Sequence, residues 1–185
     1  MNSWIRGGIA LVSLLCVACV APQGENTGWE QRDDGLYYHR GTQRLYDGKF
    51  QYTSAGEGFS GNVVGGRREG LFTGTHANGK EKTQLRYHNN QLHGVQRTWF
   101  STGQLRTELD YAQGRFVRGT TYLPDGKEAT RAAEGTGQLS AYYENGKVNW
   151  EKTWEKGAQV RDRVFDENGD IKVDRWGDKP KGRAP

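Results

Sequence analysis

Cysteine is nearly absent from this chain of 185 residues, which has only Cys16 and Cys19, both close to the first residue. A framework of disulfides is therefore excluded for the rest of the chain. Proline is also scarce, with four residues, so the composition is neither collagen-like nor that of a proline-rich linker. Long aliphatic runs are missing after residue 20, and no long basic run accompanies the net charge of +4. These absences argue against a thick aliphatic core and against nucleic-acid binding.

The residues that are abundant are glycine and the aromatic types. The 27 glycines are about twice the usual share of roughly 7%. Six Trp, nine Tyr and six Phe supply most of the large apolar surface. Such rings suit pleated, half-buried strands. This composition predicts one elongated, thin domain built from strands.

The start of the chain has the features of an export signal. Arg6 provides a positive charge, and residues 7–18 form an apolar stretch that is too short to span a membrane as a helix. The segment Cys16-Val17-Ala18-Cys19 resembles the lipobox of bacterial lipoproteins, in which small residues precede a lipid-bearing cysteine. That resemblance assigns lipidation to Cys19. The alternative is an ordinary signal that is cleaved after residue 21, just before a proline.

These features divide the chain into four predicted segments. Residues 1–18 form a lipoprotein-type signal peptide, residues 19–34 a flexible tether, residues 35–176 the repeat domain and residues 177–185 a flexible tail. The residue after Cys19 is Val20 and not Asp. This resembles lipoproteins that are sent to the outer membrane of a two-membrane bacterium. The predicted location is the bacterial cell envelope with a lipid anchor in the outer membrane, and the alternative is a secreted or periplasmic product.

A short phrase that ends in glycine recurs along the chain. Its glycines stand at positions 79, 103, 126, 146 and 169, so the steps are 24, 23, 20 and 23 residues. A near-constant step of this size is the sequence signature of a repeat architecture. Most of these phrases contain Asn-Gly or Asp-Gly, the dipeptides of two-residue hairpin turns in which both positions have positive φ. Further turns are predicted at 89–90, 113–114 and 156–157.

Residues between the turns alternate in character with a period of two, which indicates half-buried strands. Val95, Arg97 and Trp99 share one side of such a strand, with Gln96 and Thr98 on the other. No helical pattern occurs outside the signal, and residues 128–134 are interpreted as an imperfect strand. The predicted fold class is therefore all-β: an elongated antiparallel meander of β-hairpin repeats.

Two phrases resemble MORN-repeat variants: residues 94–105, with Trp99-Phe100 before a glycine, and residues 142–148, with Tyr-Tyr-Glu-Asn-Gly-Lys-Val. The resemblance extends over about residues 35–176. It implies a fold of MORN-like hairpin repeats. Family members are often catalogued as antitoxin components of toxin–antitoxin systems, so the resemblance also implies an antitoxin-like role.

No constellation of reactive side chains is visible in the sequence. The histidines are His39, His76, His88 and His93, of which His88 and His93 flank a turn and face each other across a hairpin. Two ligands do not make a closed zinc site, and no Gly-x-Ser-x-Gly nucleophile motif occurs. Residues 166–170 resemble a calcium loop only faintly and are interpreted as a hairpin turn. The sequence therefore predicts no enzyme activity, no metal and no cofactor.

One pattern bears on function. Aromatic residues recur as a ladder, which is either the core of the stacked repeats or, where exposed, a binding face. The candidate binding residues are Tyr87, Trp99, Tyr111, Tyr122, Tyr142, Trp150 and Trp154. The predicted function is a non-enzymatic, envelope-anchored protein-interaction or scaffold module, with the membrane (through lipid on Cys19) and an unidentified protein as partners. The alternatives are an antitoxin or immunity protein and, less favoured, a protein that binds or acts on an envelope polymer.

Overall fold

The computed structural model describes residues 28–177, and within that range it contains strands and turns but no helix. The predicted signal peptide, Cys19 and the end of the predicted tail from residue 178 lie outside the described residues. The strands are β1 (Trp29–Gln31), β2 (Tyr37–His39), β3 (Gly48–Ser54), β4 (Glu57–Val64), β5 (Arg67–Thr75), β6 (Glu81–His88), β7 (Gln91–Leu92), β8 (Gly94–Trp99), β9 (Leu105–Ala112), β10 (Arg115–Tyr122), β11 (Glu128–Ala132), β12 (Gly137–Tyr142), β13 (Val148–Glu155), β14 (Ala158–Phe165) and β15 (Ile171–Trp176).

The strands form three antiparallel sheets. The largest has nine strands in the order β11-β10-β9-β8-β6-β5-β4-β3, with β7 paired to β6. The second has the order β12-β13-β14-β15, and β1 and β2 form a two-stranded sheet. Because strands that follow one another along the chain lie side by side, the prediction of an all-β antiparallel meander is confirmed. The sheet of β1 and β2 begins inside the predicted tether, and Trp29 within it is only 4% exposed.

Two kinds of turn alternate along the meander, one at each edge of the sheets. At the first edge, the glycine of the recurring phrase closes a three-residue loop: His76 N donates to Lys80 O at 2.8 Å, and Gly79 N to His76 O at 2.9 Å. Only the glycine has positive φ there, and the same holds in the loops that end at Gly126, Gly146 and Gly169. The prediction of positive φ at both positions is therefore wrong for Asn-Gly and for Asp-Gly. This is the geometry of a type I turn followed by a bulge.

The reason for the difference lies in the side chain of the loop asparagine. Oδ1 of Asn78 accepts the backbone N–H of Lys80 at 3.1 Å, and its Nδ2 donates to Ser101 O in the next loop at 2.9 Å. Asparagine therefore serves these loops through side-chain hydrogen bonds, which hold one loop to the next, rather than through a left-handed backbone.

Two-residue turns with positive φ at both positions lie at the opposite edge. Three of them were predicted from the sequence: Asn89 and Asn90 (φ 55° and 68°), Gln113 and Gly114 (49° and 76°), and Lys156 and Gly157 (49° and 80°). The turns at residues 65–66 and 134–135 have the same conformation and were not predicted, and a further one at residues 55–56 lies at the first edge, beside Ala77. The primed turn conformation matches the twist of the strands that it joins.

The core of the large sheet is a row of aromatic rings. Trp29 stacks on Phe50 with ring centroids 4.4 Å apart, and Phe72 contacts Tyr87 edge to face at 5.2 Å. Gly61 lies directly against Phe72, because a Cβ at position 61 would stand 2.3 Å from that ring. The aromatic composition thus supplies the thin core that the sequence indicated.

The second sheet packs against the large one. Phe116 of β10 stacks on Trp154 of β13, with centroids 4.3 Å apart. Leu139 of β12 lies against Gly119, where an added Cβ would come within 3.1 Å of it. The meander therefore bends between β11 and β12, so that its last four strands cover part of the sheet that precedes them.

Several polar side chains are buried in this core. On β8, Gln96 faces inward, where its Oε1 accepts Arg86 N at 2.7 Å and its Nε2 donates at 3.2 Å to Arg86 O, which also accepts the backbone N–H of His93 at 2.9 Å. On β13 and β14, Lys152 and Asp162 are directly opposite each other, both 5% exposed, with Nζ and Oδ1 3.7 Å apart. Burial lowers the pKa of Lys152, and Asp162 opposes that effect.

Candidate functional site

The seven aromatic residues of the predicted ladder fall into groups according to how many residues separate each one from the glycine that ends its three-residue loop. Three precede that glycine by four residues: Trp99, Tyr122 and Tyr142. Tyr87, Tyr111 and Trp154 follow it by eight residues, and Trp150 follows it by four. Rings at the same distance from the glycine share the same degree of burial, so this distance indicates which rings are buried.

The rings that follow the glycine belong to the core. Tyr87, Tyr111, Trp150 and Trp154 are between 2% and 8% exposed. Tyr111 contacts Phe116 edge to face at 5.9 Å, and burial raises the pKa of its hydroxyl. These four predicted binding residues present almost no surface in this structure, so they stabilise the fold.

The rings that precede the glycine are half-buried. Trp99, Tyr122 and Tyr142 keep part of each ring in contact with solvent. Within residues 28–177, neither the indole N–H of Trp99 nor the hydroxyl of Tyr142 makes a hydrogen bond, and neither atom is fully buried. Such side chains offer an apolar face and a free polar tip, the combination that is enriched at protein interfaces.

Trp99 and Tyr142 line the same groove, which we call the loop groove. It lies at the edge where the three-residue loops are, and its volume is about 530 Å³. Its lining consists of Glu57, His76, Lys82, Trp99, Phe100, Arg106, Tyr142, Tyr143, Glu144, Asn145 and Glu167. The groove therefore combines aromatic rings with charges of both signs.

Hydrogen bonds between loops hold the walls of the loop groove. His76 Nε2 lies 3.0 Å from Trp99 O, and Ser101 N donates to Glu144 Oε1 at 2.8 Å. Tyr143 donates its hydroxyl to Phe165 O at 2.7 Å. The bond from Ser101 to Glu144 joins residues 43 apart in the sequence, so the groove forms only when the meander has bent.

Arg106 is the cation at the floor of this groove. Its Nε donates to Tyr142 O at 2.8 Å, and its Nη2 donates to Asn149 Oδ1 at 2.5 Å. Burial lowers the pKa of Arg106 to about 10, while the nearby Tyr143 and Glu144 raise it. Both hydrogen-bond acceptors are neutral, so the guanidinium is a charge without a bonded counter-ion.

Sequence reasoning missed Arg106 and Lys82, although a signal for them existed. Each stands three residues after its loop glycine, at Gly103 and Gly79 respectively, so the two occupy the same position in successive repeats. Lys82 pairs with Glu57, with Nζ and Oε2 2.5 Å apart. The phase relative to the glycine would have placed both cations beside the half-buried rings.

Tyr122 lies apart from Trp99 and Tyr142, in a second groove of about 470 Å³ on the face of β8 to β11. The walls of that groove carry charged side chains that pair across neighbouring strands. Arg118 and Asp110 approach to 3.4 Å, and both line the groove. The structure thus brings two of the three half-buried rings together and leaves the third elsewhere.

The described residues show no catalytic or metal-binding constellation. No group of three or more His, Cys, Asp or Glu side chains in residues 28–177 is arranged to hold a metal ion. The rings of His88 and His93 lie 6.2 Å apart, and Nδ1 of His88 is 2.9 Å from Glu69. Residues 166–170 form a hairpin loop in which Asp166 pairs with Lys172 at 2.8 Å.

Comparison with known families identifies one segment. Residues 92–113 match the MORN repeat variant. The MORN-variant segment runs from β7 through the hairpin of β8 and β9 to the turn at Gln113, so it is close to one repeat of the meander. It contains Trp99 and Arg106, two residues of the loop groove. A comparison with curated proteins gave no match, and the part of the chain that the structure describes has no helix able to cross a membrane.

Proposed function

We propose that this chain is a non-enzymatic repeat protein that binds another protein through the loop groove. The observation that carries the proposal is the pair of half-buried rings, Trp99 and Tyr142, that share one groove and keep unbonded polar tips. A MORN repeat suggests a protein-interaction or scaffold module, and the segment that matches it contains one of these rings.

The proposed site has the anatomy of a protein-binding groove rather than of an active site. Several of its charged groups are bonded within the chain, as in the ion pair of Lys82 with Glu57 and the hydrogen bond from Ser101 N to Glu144. Interfaces are enriched in Trp, Tyr and Arg, and those three residue types meet in this groove.

A cross-linking experiment tests this function. The full chain would be expressed with an affinity tag in a bacterial host that carries it naturally, and captured after cross-linking. Trp99→Ala and Tyr142→Ala should remove a partner that the wild type captures, while Trp176→Ala, an exposed control outside the groove, should retain it. Equal capture by folded groove variants and the wild type would refute the assignment of the interaction to the groove.

Neutralisation of a toxin is the narrower form of this proposal. It is favoured by the resemblance of the repeats to MORN variants, which are often catalogued among antitoxin components. Identification of the captured partner tests it: a toxin whose expression kills cells unless this chain is also made would establish the role. Survival of cells that express the partner alone would exclude it.

We also propose that the chain is anchored to the bacterial envelope, in the outer membrane, through lipid on Cys19. The support is the sequence Cys16-Val17-Ala18-Cys19 after an apolar stretch. Labelling with a fatty acid should mark the wild type and the Cys16→Ser variant but not Cys19→Ser. Label that persists in Cys19→Ser would overturn the anchor, and an exported, unlabelled wild type would establish a secreted or periplasmic product.

A further inference from the structure

Three hydrogen-bond donors in the loop groove have no acceptor within residues 28–177. They are Nη1 of Arg106, Nε1 of Trp99 and the hydroxyl of Tyr142. None of the three is a fully buried atom, so each is open to solvent in or beside the groove that their residues line. Donors of this kind bind water, which a ligand with matching acceptors displaces.

Most of the carboxylates that line the groove are ion-paired or hydrogen-bonded within the chain. Glu57 pairs with Lys82, and Glu144 accepts the backbone N–H of Ser101. Glu167 is the exception, because its exposed carboxylate makes no hydrogen bond or ion pair within the described part of the chain. The groove therefore has unused donors at three residues and an unused carboxylate at one.

We propose that the loop groove binds an acidic side chain of a protein partner, whose carboxylate is held by Arg106 and by the polar tips of Trp99 and Tyr142. This proposal rests on the proposed protein-binding function and specifies the chemistry of the group that the groove takes. A carboxylate provides the acceptors that all three donors lack, and its charged hydrogen bonds to a guanidinium are among the strong ones.

Electrostatics favours an acid over a base. Arg106 is largely buried, and its bonded neighbours, Tyr142 O and Asn149 Oδ1, are neutral. Glu144 attracts the guanidinium without a hydrogen bond, so a carboxylate that reaches Nη1 would supply the directly bonded counter-ion that Arg106 lacks. A basic side chain would gain from Glu167 at the rim, but it would approach the guanidinium in a partly desolvated site, where like charges repel strongly.

The rings set a second requirement on the ligand. Trp99 and Tyr142 each present part of a ring, which would contact the apolar part of an acidic side chain or of its neighbour in the partner. The preferred motif is therefore Asp or Glu next to an aromatic residue. Benzoylglycine, a small carboxylate with a ring, is a direct probe of this chemistry.

The probe would be titrated into the folded chain while the indole N–H signal of Trp99 is followed by NMR, with Trp99→Phe used to assign that signal. A ligand of this size is expected to bind with a Kd on the order of 1–10 mM. Its amide, which has the same shape without the charge, should bind at least tenfold more weakly. Phenethylamine, a cation with the same ring, should bind more weakly still.

Two substitutions test whether the groove prefers an acidic ligand to a basic one. Glu167→Gln removes the unpaired negative charge at the rim and should tighten binding of benzoylglycine severalfold, whereas for a basic ligand it would weaken binding. Arg106→Lys keeps the charge but loses the planar fork, and should weaken binding about tenfold or more while the rest of the spectrum stays native. Trp99 signals that do not respond to the acid, or that respond more strongly to the amine, would overturn the proposal.

The outcomes separate this inference from the function on which it rests. A partner that is captured equally by the wild type, Glu167→Gln and Arg106→Lys would leave protein binding intact and refute the acidic specificity. Binding of benzoylglycine with the expected responses, but no partner captured from the host, would support the acidic site and refute the proposed protein-interaction function.

Discussion

The indole of Trp154 stacks on the ring of Phe116, with centroids 4.3 Å apart and planes inclined by 21°. The two residues belong to different sheets, so this contact holds the last four strands against the nine that precede them. Both side chains are 2% exposed. The bend that creates the loop groove therefore depends on a buried aromatic contact far from the groove residues.

Replacement of Trp154 by alanine should be among the most destabilising changes in the described part of the chain. Removing a buried Trp leaves a cavity and costs about 3–5 kcal/mol. The matched control is Trp176→Ala, because Trp176 is 67% exposed and contacts mainly Arg161, 4.3 Å from its ring. That change should cost about 1 kcal/mol or less.

Urea unfolding followed by circular dichroism measures both values. A Trp154→Ala variant as stable as Trp176→Ala would show that the two sheets do not depend on this contact. The groove should respond in parallel, because Arg106 and Glu144 reach across the same bend.

The sequence predicted the class of fold, some of the strands, such as the one from Val95 to Trp99, and the position of every turn in the recurring phrase, because alternation and turn residues are local signals. It did not predict the bend between β11 and β12. That bend depends on contacts such as Leu139 against Gly119, which join residues without a shared sequence pattern. The burial of Arg106 could not be predicted for the same reason, because its partners Tyr142 O and Asn149 lie on strands that meet it only after the bend.

The predicted backbone conformation of the Asn-Gly turns was wrong for a different reason. Asn-Gly has two structural uses, a primed turn with positive φ or a side chain that caps a three-residue loop, and composition does not distinguish them. Asn78 takes the second use because the next loop offers the carbonyl of Ser101. Only the adjacent repeat decides between them.

Asn78→Asp tests this role of the loop asparagine. Aspartate keeps the acceptor for Lys80 N but loses the donor to Ser101 O, and it sets a negative charge beside a carbonyl. The expected loss is about 0.5–1.5 kcal/mol. Asp125→Asn is the reciprocal control at the equivalent position, where Oδ1 accepts Lys127 N and the ion pair with Lys127 is exposed. Because that ion pair is exposed, the substitution should change the free energy of unfolding much less than Asn78→Asp does.

Chemical denaturation compares the two substitutions directly. If Asn78→Asp were as stable as the wild type, the bond between the loops would contribute nothing measurable to the repeat. A large loss in Asp125→Asn would instead show that charge in these loops matters more than the bond between them.

Lys156 occupies the first position of a two-residue turn with φ of 49°, a left-handed conformation that lysine adopts at a cost. Lys156→Asn should therefore raise the free energy of unfolding by about 0.5–1 kcal/mol, because asparagine tolerates this region. The backbone bonds of the turn remain, since Lys156 N donates to Thr136 Oγ1 at 3.2 Å.

The neighbouring substitution Glu155→Asn serves as the control, because Glu155 ends a strand and does not have positive φ. It should leave stability unchanged or lower it slightly. Differential scanning calorimetry of the two variants gives the comparison. A melting temperature that rises equally in both would mean that asparagine acts through something other than the backbone of the turn.

The bond between Ser101 and Glu144 predicts how stability depends on pH. Ser101, through its hydroxyl and its backbone N–H, holds the pKa of Glu144 below its usual value of 4.5. Because the folded pKa is lower than the unfolded one, the contribution to stability is complete above about pH 4.5. It is lost as the pH falls through the folded value.

Glu144→Gln should therefore be less stable than the wild type at neutral pH, and the difference should shrink as the pH falls below 4.5. Urea unfolding at a series of pH values between about 7 and 3 measures it. Glu155→Gln is the matched control, because the side chain of Glu155 makes no hydrogen bond or ion pair within residues 28–177. A constant difference between Glu144→Gln and the wild type across this range would show that the carboxylate of Glu144 does not hold the two loops together. The wall of the loop groove would then depend on Arg106 and on the packing of the bend alone.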